Sequence, residues 1–105
     1  MNLENLAEEL GLEKDEFLEV AELYVETCAS DFHKLQSAID DENARLAAEA
    51  AHSIKGASGN LGFARAQAAA EKIEIQARQG SLAGIAATAE LLRKELDQVK
   101  SLVMK

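Results

Sequence analysis

The sequence has no proline, no tryptophan and a single cysteine. Without proline, nothing in the chain forces a helix to break. The lone cysteine, Cys28, has no partner for an internal disulfide, which excludes a disulfide-stapled scaffold and fits a reducing cytoplasm. Positive charge is also scarce. Eleven Lys and Arg stand against 19 Asp and Glu, a formal net charge of −8. Such a chain is a poor ligand for phosphate backbones and anionic bilayers, so neither nucleic acid nor membrane is expected as a partner. No apolar run approaches the roughly 20 residues that span a bilayer. The acidic, amphipathic start "MNLENLAEELG" does not have the makeup of a signal peptide. These absences together predict a cytoplasmic protein.

What is present is helical. The 105 residues suit one domain, taken as residues 1–105. Leu3, Leu6 and Leu10 predict a short amphipathic helix ended by Gly11. A long helix is expected from about Asp15 to Ile39, with Phe17, Ala21, Tyr24, Cys28, Phe32, Leu35 and Ile39 on one stripe. The cluster "DDEN" turns the chain, and Asn43 is suited to cap a helix running from about Ala44 to Asn60. That helix carries Leu46, Ala50, Ile54, Ala57 and Leu61 on its apolar stripe. Gly62 closes it. A further helix from about Phe63 to Gln79 carries Phe63, Ala66, Ala70, Ile73 and Ala77. Gly80 ends it and Ser81 is expected to cap the last helix. There Leu82, Ile85, Ala89, Leu92, Leu96, Val99 and Val103 form a heptad-like seam. The fold class is therefore all-α: an antiparallel four-helix bundle with a short additional N-terminal helix.

One stretch resists this reading. In "AAHSIKGASGNLG", residues Ala50 to Gly62, two glycines lie inside a helix, where each costs about 1 kcal/mol relative to alanine. At 100° per residue, His52 falls on the face opposite the stripe. Arg45, Ala48, Glu49, Lys55, Gly56 and Gly59 share that face. Lys55 and Gly56 are the i+3 and i+4 neighbours that touch a helical side chain, and Ala48 is the i−4 neighbour. The imidazole is thus left uncrowded with a cation within reach. An ordinary surface histidine beside packing glycines is the competing reading, although glycines that serve packing should point inward.

The chemistry open to His52 narrows by elimination. A metal needs three or four ligands, and no second histidine or cysteine lies near it in sequence. The only other histidine, His33, sits on the polar side of the long helix and reads as a solvated residue. No nucleophile elbow, Walker loop or dinucleotide fingerprint is present. Ser53 and Ser58 point away from a site shared with His52. The remaining role is the imidazole itself as nucleophile, with Lys55 to neutralise phosphoryl oxygens.

At these residues the sequence resembles the histidine-containing phosphotransfer (HPt) family of bacterial phosphorelays. The pattern H-x-x-K-G-x-[SA], followed by an apolar residue and Gly, is matched by His52, Lys55, Gly56, Ser58, Leu61 and Gly62. The resemblance runs on through "FARAQAAAEKIEIQARQG". It implies a four-helix bundle whose exposed histidine is phosphorylated at Nε2, here His52. Lys55 becomes the cationic neighbour and Gly56 the clearance residue. In relatives, a Gln or Glu on the following helix holds the other ring nitrogen. Counting along the motif places Glu74 at that position, on the flank of its helix's stripe.

The implied function is a phosphorelay carrier. It takes a phosphoryl group from an aspartyl phosphate on one receiver domain and passes it to another. The partners are receiver domains of response regulators or hybrid histidine kinases, docking on a patch made by the long helix and the helix of His52. The carrier is expected to be a monomer and not an enzyme in its own right, with no cofactor and no metal of its own. The receiver would supply the aspartate and the metal. Two alternatives stand beside it. "GF" at Gly62 and Phe63 resembles the phosphoacceptor domain of a chemotaxis-type histidine kinase, although the length suits a free-standing carrier. A non-catalytic acidic helical adaptor is the other, and it would leave His52 dispensable.

Overall fold

The computed structural model describes residues 2–104. Five helices follow one another: α1 (Leu3–Glu9), α2 (Lys14–Asp40), α3 (Ala44–Leu61), α4 (Ala64–Arg78) and α5 (Ile85–Val103), with no strand among the described residues. The last four form a ring in which α2 packs on α3, α3 on α4, α4 on α5 and α5 back on α2. Neighbours run antiparallel. Tyr24 meets Ser58 and Asp31 meets Ser53, so α3 descends as α2 ascends. His52 meets Glu74 and Gly59 abuts Gln67, so α4 reverses again. At 1.5 Å per residue, α2 measures about 40 Å, which accounts for the 41 Å long axis of the molecule. No helix among the described residues is long and apolar enough to cross a membrane.

The amphipathic stripes build the core. Phe17, Leu35, Ile54, Phe63, Ile73, Ile85, Leu92 and Val99 are fully buried. The Phe63 ring lies 4.9 Å from that of Tyr24 and 6.2 Å from that of Phe17, within the range of favourable tilted pairs. Tyr24 can be buried because its hydroxyl has a partner, Ser58 Oγ at 2.7 Å. Burial pushes the Cys28 thiol up to about 11, so this cysteine is an inert core residue. At one end of the bundle α1 packs on α2, and a side chain at Gly62 would meet Leu6 at 3.4 Å. Gly62 also needs its left-handed φ of 80° to close α3.

Asn43 caps α3 as its chemistry predicts, its side chain accepting from the Leu46 N–H at 3.1 Å. Two expectations fail. Ser81 does not cap α5. Its Oγ takes the Ala83 N–H, the chain turns on through left-handed Gly80 and Gly84, and the helix begins at Ile85. The stripe of α3 is also displaced by about one residue. The buried line is Ala47, Ala51, Ile54, Ser58 and Leu61, flanked by Ala48 and Ala50, while Leu46 is 43% exposed. Alanine fits either face of a helix, so the few larger apolar residues set the expected phase, and Leu46 misplaced it.

The three-residue connection from α2 to α3 forces Glu42 to φ 55°, a left-handed conformation that costs a residue with a Cβ about 1–2 kcal/mol. Glycine avoids that cost but loses more chain entropy on folding. Glu42→Gly is therefore expected to raise stability by about 0.5–1 kcal/mol. Urea unfolding should show a higher midpoint at an unchanged slope.

Candidate functional site

α3 and α4 are the most extensively packed pair of helices, and small residues line their contact. Ala47, Ala48, Ala51, Ala66, Ala69, Ala70 and Ala77 are all buried. Such side chains let two helix axes approach toward the short end of the usual 8–10 Å. Polar residues at the rim of the seam can then reach across it. Ala48 belongs to this seam, not to the outer face beside His52. Gly59 also faces it: a Cβ there would come within 2.8 Å of Gln67 Nε2. Gly56 is different. Nothing lies within 4 Å of the position its Cβ would take, so it opens space toward solvent.

His52, Lys55 and Glu74 meet at this rim. The His52 side chain is 60% exposed, with Nδ1 turned inward to Glu74 Oε2 at 2.8 Å. Lys55 Nζ lies 2.6 Å from the other oxygen, Glu74 Oε1. Glu74 itself is only 5% exposed. Lys55 is thus tied down and partly buried, at 29% exposed, where the sequence suggested a free outward cation. His33 is exposed on α2 and is not among the partners found for Glu74.

The sequence reading missed a fourth member. Arg78, in the last turn of α4, places Nε at 2.9 Å and Nη2 at 2.7 Å from Glu74 Oε2, the oxygen that also faces His52. The signal was available: Glu74 and Arg78 stand four apart on one helix, a spacing that pairs opposite charges. Ser53 and Ser58 are both engaged elsewhere. Ser58 bonds Tyr24 in the core, and Ser53 donates to Asp31 of α2 at 2.5 Å.

Electrostatics decide which protons sit where. Burial pushes the Glu74 carboxyl up, but hydrogen bonds from Lys55, Arg78 and His52 outweigh it and hold the group down at about 2. Near neutral pH Glu74 is therefore a carboxylate and can only accept. Its bond to His52 then requires a proton on Nδ1. In the neutral ring this leaves Nε2 with a free lone pair. The arrangement presents one bare nitrogen on an exposed imidazole, beside a glycine that leaves its approach open.

A family model described as "Hpt domain" matches residues 19–102, that is 84 of the 105 residues. The chain belongs to the Hpt domain family. Members of this family are histidine phosphotransfer carriers of two-component signalling and work with receiver domains. The Hpt match covers all of α3 and α4, hence every residue of the cluster. Searches of curated proteins and of solved structures gave no match.

The Glu74 cluster links stability to pH. Its carboxyl lies at about 2 in the folded chain against an ordinary 4.5. Because the folded value is depressed, the stabilisation is fully present above 4.5 and is lost as pH falls toward 2. Glu74→Gln removes the titrating group. The stability difference between wild type and Glu74→Gln should shrink steadily as pH falls from about 4.5 toward 2. Thermal melts across that range measure it.

Proposed function

We propose that His52 is the phosphoacceptor of this Hpt domain. On this reading it takes a phosphoryl group from an aspartyl phosphate on one receiver domain and delivers it to the aspartate of another. The observation that carries the reading is the clamp on Nδ1. With its Nδ1–H donating to an ionised Glu74, the ring offers Nε2 as nucleophile on an open face. His33 has no comparable partner among the described residues, and a nucleophilic imidazole needs one nitrogen fixed for the other to be free.

The reaction follows from this geometry. The Nε2 lone pair attacks phosphorus. The Nε2–P bond forms as the P–O bond to the donor's aspartyl group breaks, and that electron pair leaves with the carboxylate. The ring is now an imidazolium whose proton stays on Nδ1, hydrogen-bonded to Glu74. In the onward step a second receiver's carboxylate oxygen attacks phosphorus, and the N–P electron pair returns to Nε2. No proton has to leave Nδ1 at any stage. Lys55 and Arg78 supply positive charge close to the site that gains phosphoryl oxygens.

A shallow groove between α2 and α3 supports docking beside the site. It is lined by Val20, Leu23, Thr27, Ala57, Asn60 and Leu61, and Leu23 is 63% exposed. Ala57 adjoins Gly56, so a receiver seated on this apolar strip would bring its aspartate over the open side of His52.

Incubation with a phosphorylated receiver domain should place an acid-labile, alkali-stable label on wild type and on His33→Gln but not on His52→Gln. Label retained by His52→Gln would sink the assignment.

Clearance at Gly56 gives a second expectation. Side chains on a helix lean toward its N-terminus, so a leucine at this position would lie over His52. Gly56→Leu should gain up to about 1 kcal/mol in stability from helix propensity. It should nonetheless accept phosphoryl more slowly from a receiver, by about tenfold or more, a crowding cost of roughly 1.4 kcal/mol. Stopped-flow transfer rates and urea melts on the same protein separate the two effects.

A further inference from the structure

Glu74 has more positive partners than it can use. Two cations, Lys55 and Arg78, meet one carboxylate, leaving one positive charge over at the rim of an otherwise acidic chain. The distribution is also uneven. A guanidinium usually spreads its two arms over both oxygens of a carboxylate. Here Lys55 holds Oε1, and both arms of Arg78 converge on Oε2, which His52 Nδ1 shares. Arg78 therefore acts on the oxygen that controls the imidazole.

We propose that Arg78 is a positioning residue for the chemistry at His52, pinning Oε2 and opposing positive charge on the unreacted ring so that Nε2 stays a free nucleophile near neutral pH. The inference rests on the reading of His52 as phosphoacceptor. Two physical effects combine. The fork fixes the Glu74 oxygen in place, so the ring keeps one tautomer and one orientation. The guanidinium charge also draws on the negative charge that Oε2 would otherwise lend to an imidazolium, and a protonated ring has no lone pair to offer. The flanking helices also carry Lys55 and Glu49 on α3, with Glu49 paired to Arg45 at 3.1 Å, and Asp31 on α2, which accepts from Ser53. Among these cations only Lys55 and Arg78 touch Glu74, and only Arg78 touches Oε2.

The test needs no partner protein. Phosphoramidate donates a phosphoryl group directly: Nε2 attacks phosphorus, the donor's P–N bond breaks, and ammonia leaves with the electron pair. Labelling rates are measured from pH 6 to 9 for wild type, Arg78→Gln, Arg78→Lys and Arg45→Gln. The Arg45 variant removes the same charge without touching Glu74. Arg78→Gln is expected to label about three- to fivefold more slowly than wild type at pH 6.5, the size of a partly exposed charge pair, and the gap should narrow toward pH 9, where only the pinning of Oε2 remains. Arg78→Lys keeps the charge and should stay within about twofold throughout. Arg45→Gln should match wild type. Nitrogen NMR of His52 should show a larger imidazolium fraction in Arg78→Gln at pH 6.5.

Equal rates for wild type and Arg78→Gln at pH 6.5 would overturn the proposal. A deficit that persists unchanged to pH 9, with a lowered melting temperature, would make Arg78 a structural residue of the last turn of α4. Arg78→Lys as slow as Arg78→Gln, or Arg45→Gln equally slow, would also defeat it. If wild type itself takes no label at His52, the reading of His52 falls and this inference with it. Labelled wild type with an indifferent Arg78→Gln defeats this inference alone.

Discussion

A nearly buried carboxylate in the seam between α3 and α4 is the constraint on which the site depends. Removing a charge from water costs several kcal/mol even after the protein relaxes. One hydrogen bond to a charged group returns about 1.5–3 kcal/mol. A single partner would therefore leave Glu74 in deficit, whereas Lys55, Arg78 and His52 together keep it ionised at about 2. Its ionisation makes Glu74 an obligate acceptor and so orients the imidazole. Had the same carboxyl been protonated, it could have donated to Nδ1, and the nucleophilic lone pair would have faced the core.

The bundle makes this possible by being built from small side chains where α3 and α4 touch. Alanines at the contact bring the helices close enough for Glu74 to reach a residue on the neighbouring helix. On the other side of α3, larger residues take over. Tyr24 bonds Ser58 through its hydroxyl, and Phe63 packs against Tyr24 and Phe17. That contact locks the rotation of α3 about its own axis. With Ser58 facing α2, His52 and Lys55 are carried round to the α4 side and Gly56 to open solvent. The core packing thus determines where the His52 face points.

The helices were legible because their periodicity repeats over many residues. Asn43 and Gly62 were readable as caps because each satisfies a local backbone requirement. The "HSIKG" spacing carried His52, Lys55 and Gly56, since neighbours on one helix are fixed by sequence alone. Contacts between helices were harder. The phase of α3 was misread because alanine is compatible with either face, and Ala48 and Gly59 were consequently assigned outward. Glu74 was reachable only through a resemblance, because no local pattern says which oxygen finds which ring across a seam. Arg78 was overlooked although its spacing from Glu74 is local. It reads as a common helix ion pair until Glu74 is known to be buried. Ser81 failed as a cap because the two left-handed glycines around it lengthen the turn.

A carrier must accept a group and give it up again, so its site should favour neither state strongly. On the proposed reading of His52 as phosphoacceptor, the geometry answers this with a proton that does not move. The proton stays on Nδ1, hydrogen-bonded to Glu74, while the lone pair of Nε2 is spent on phosphorus and later recovered. Each transfer therefore exchanges one bond to phosphorus for another without waiting for acid or base. The surrounding charges are arranged for the same balance. Before reaction the ring stands beside one carboxylate and two cations. Afterwards the ring is positive, but the phosphoryl group brings at least as much negative charge to the same rim. A carboxylate alone would over-stabilise the positive ring, and cations alone would repel it. Holding both on a single buried residue keeps the nucleophile available and the phosphoryl group transferable.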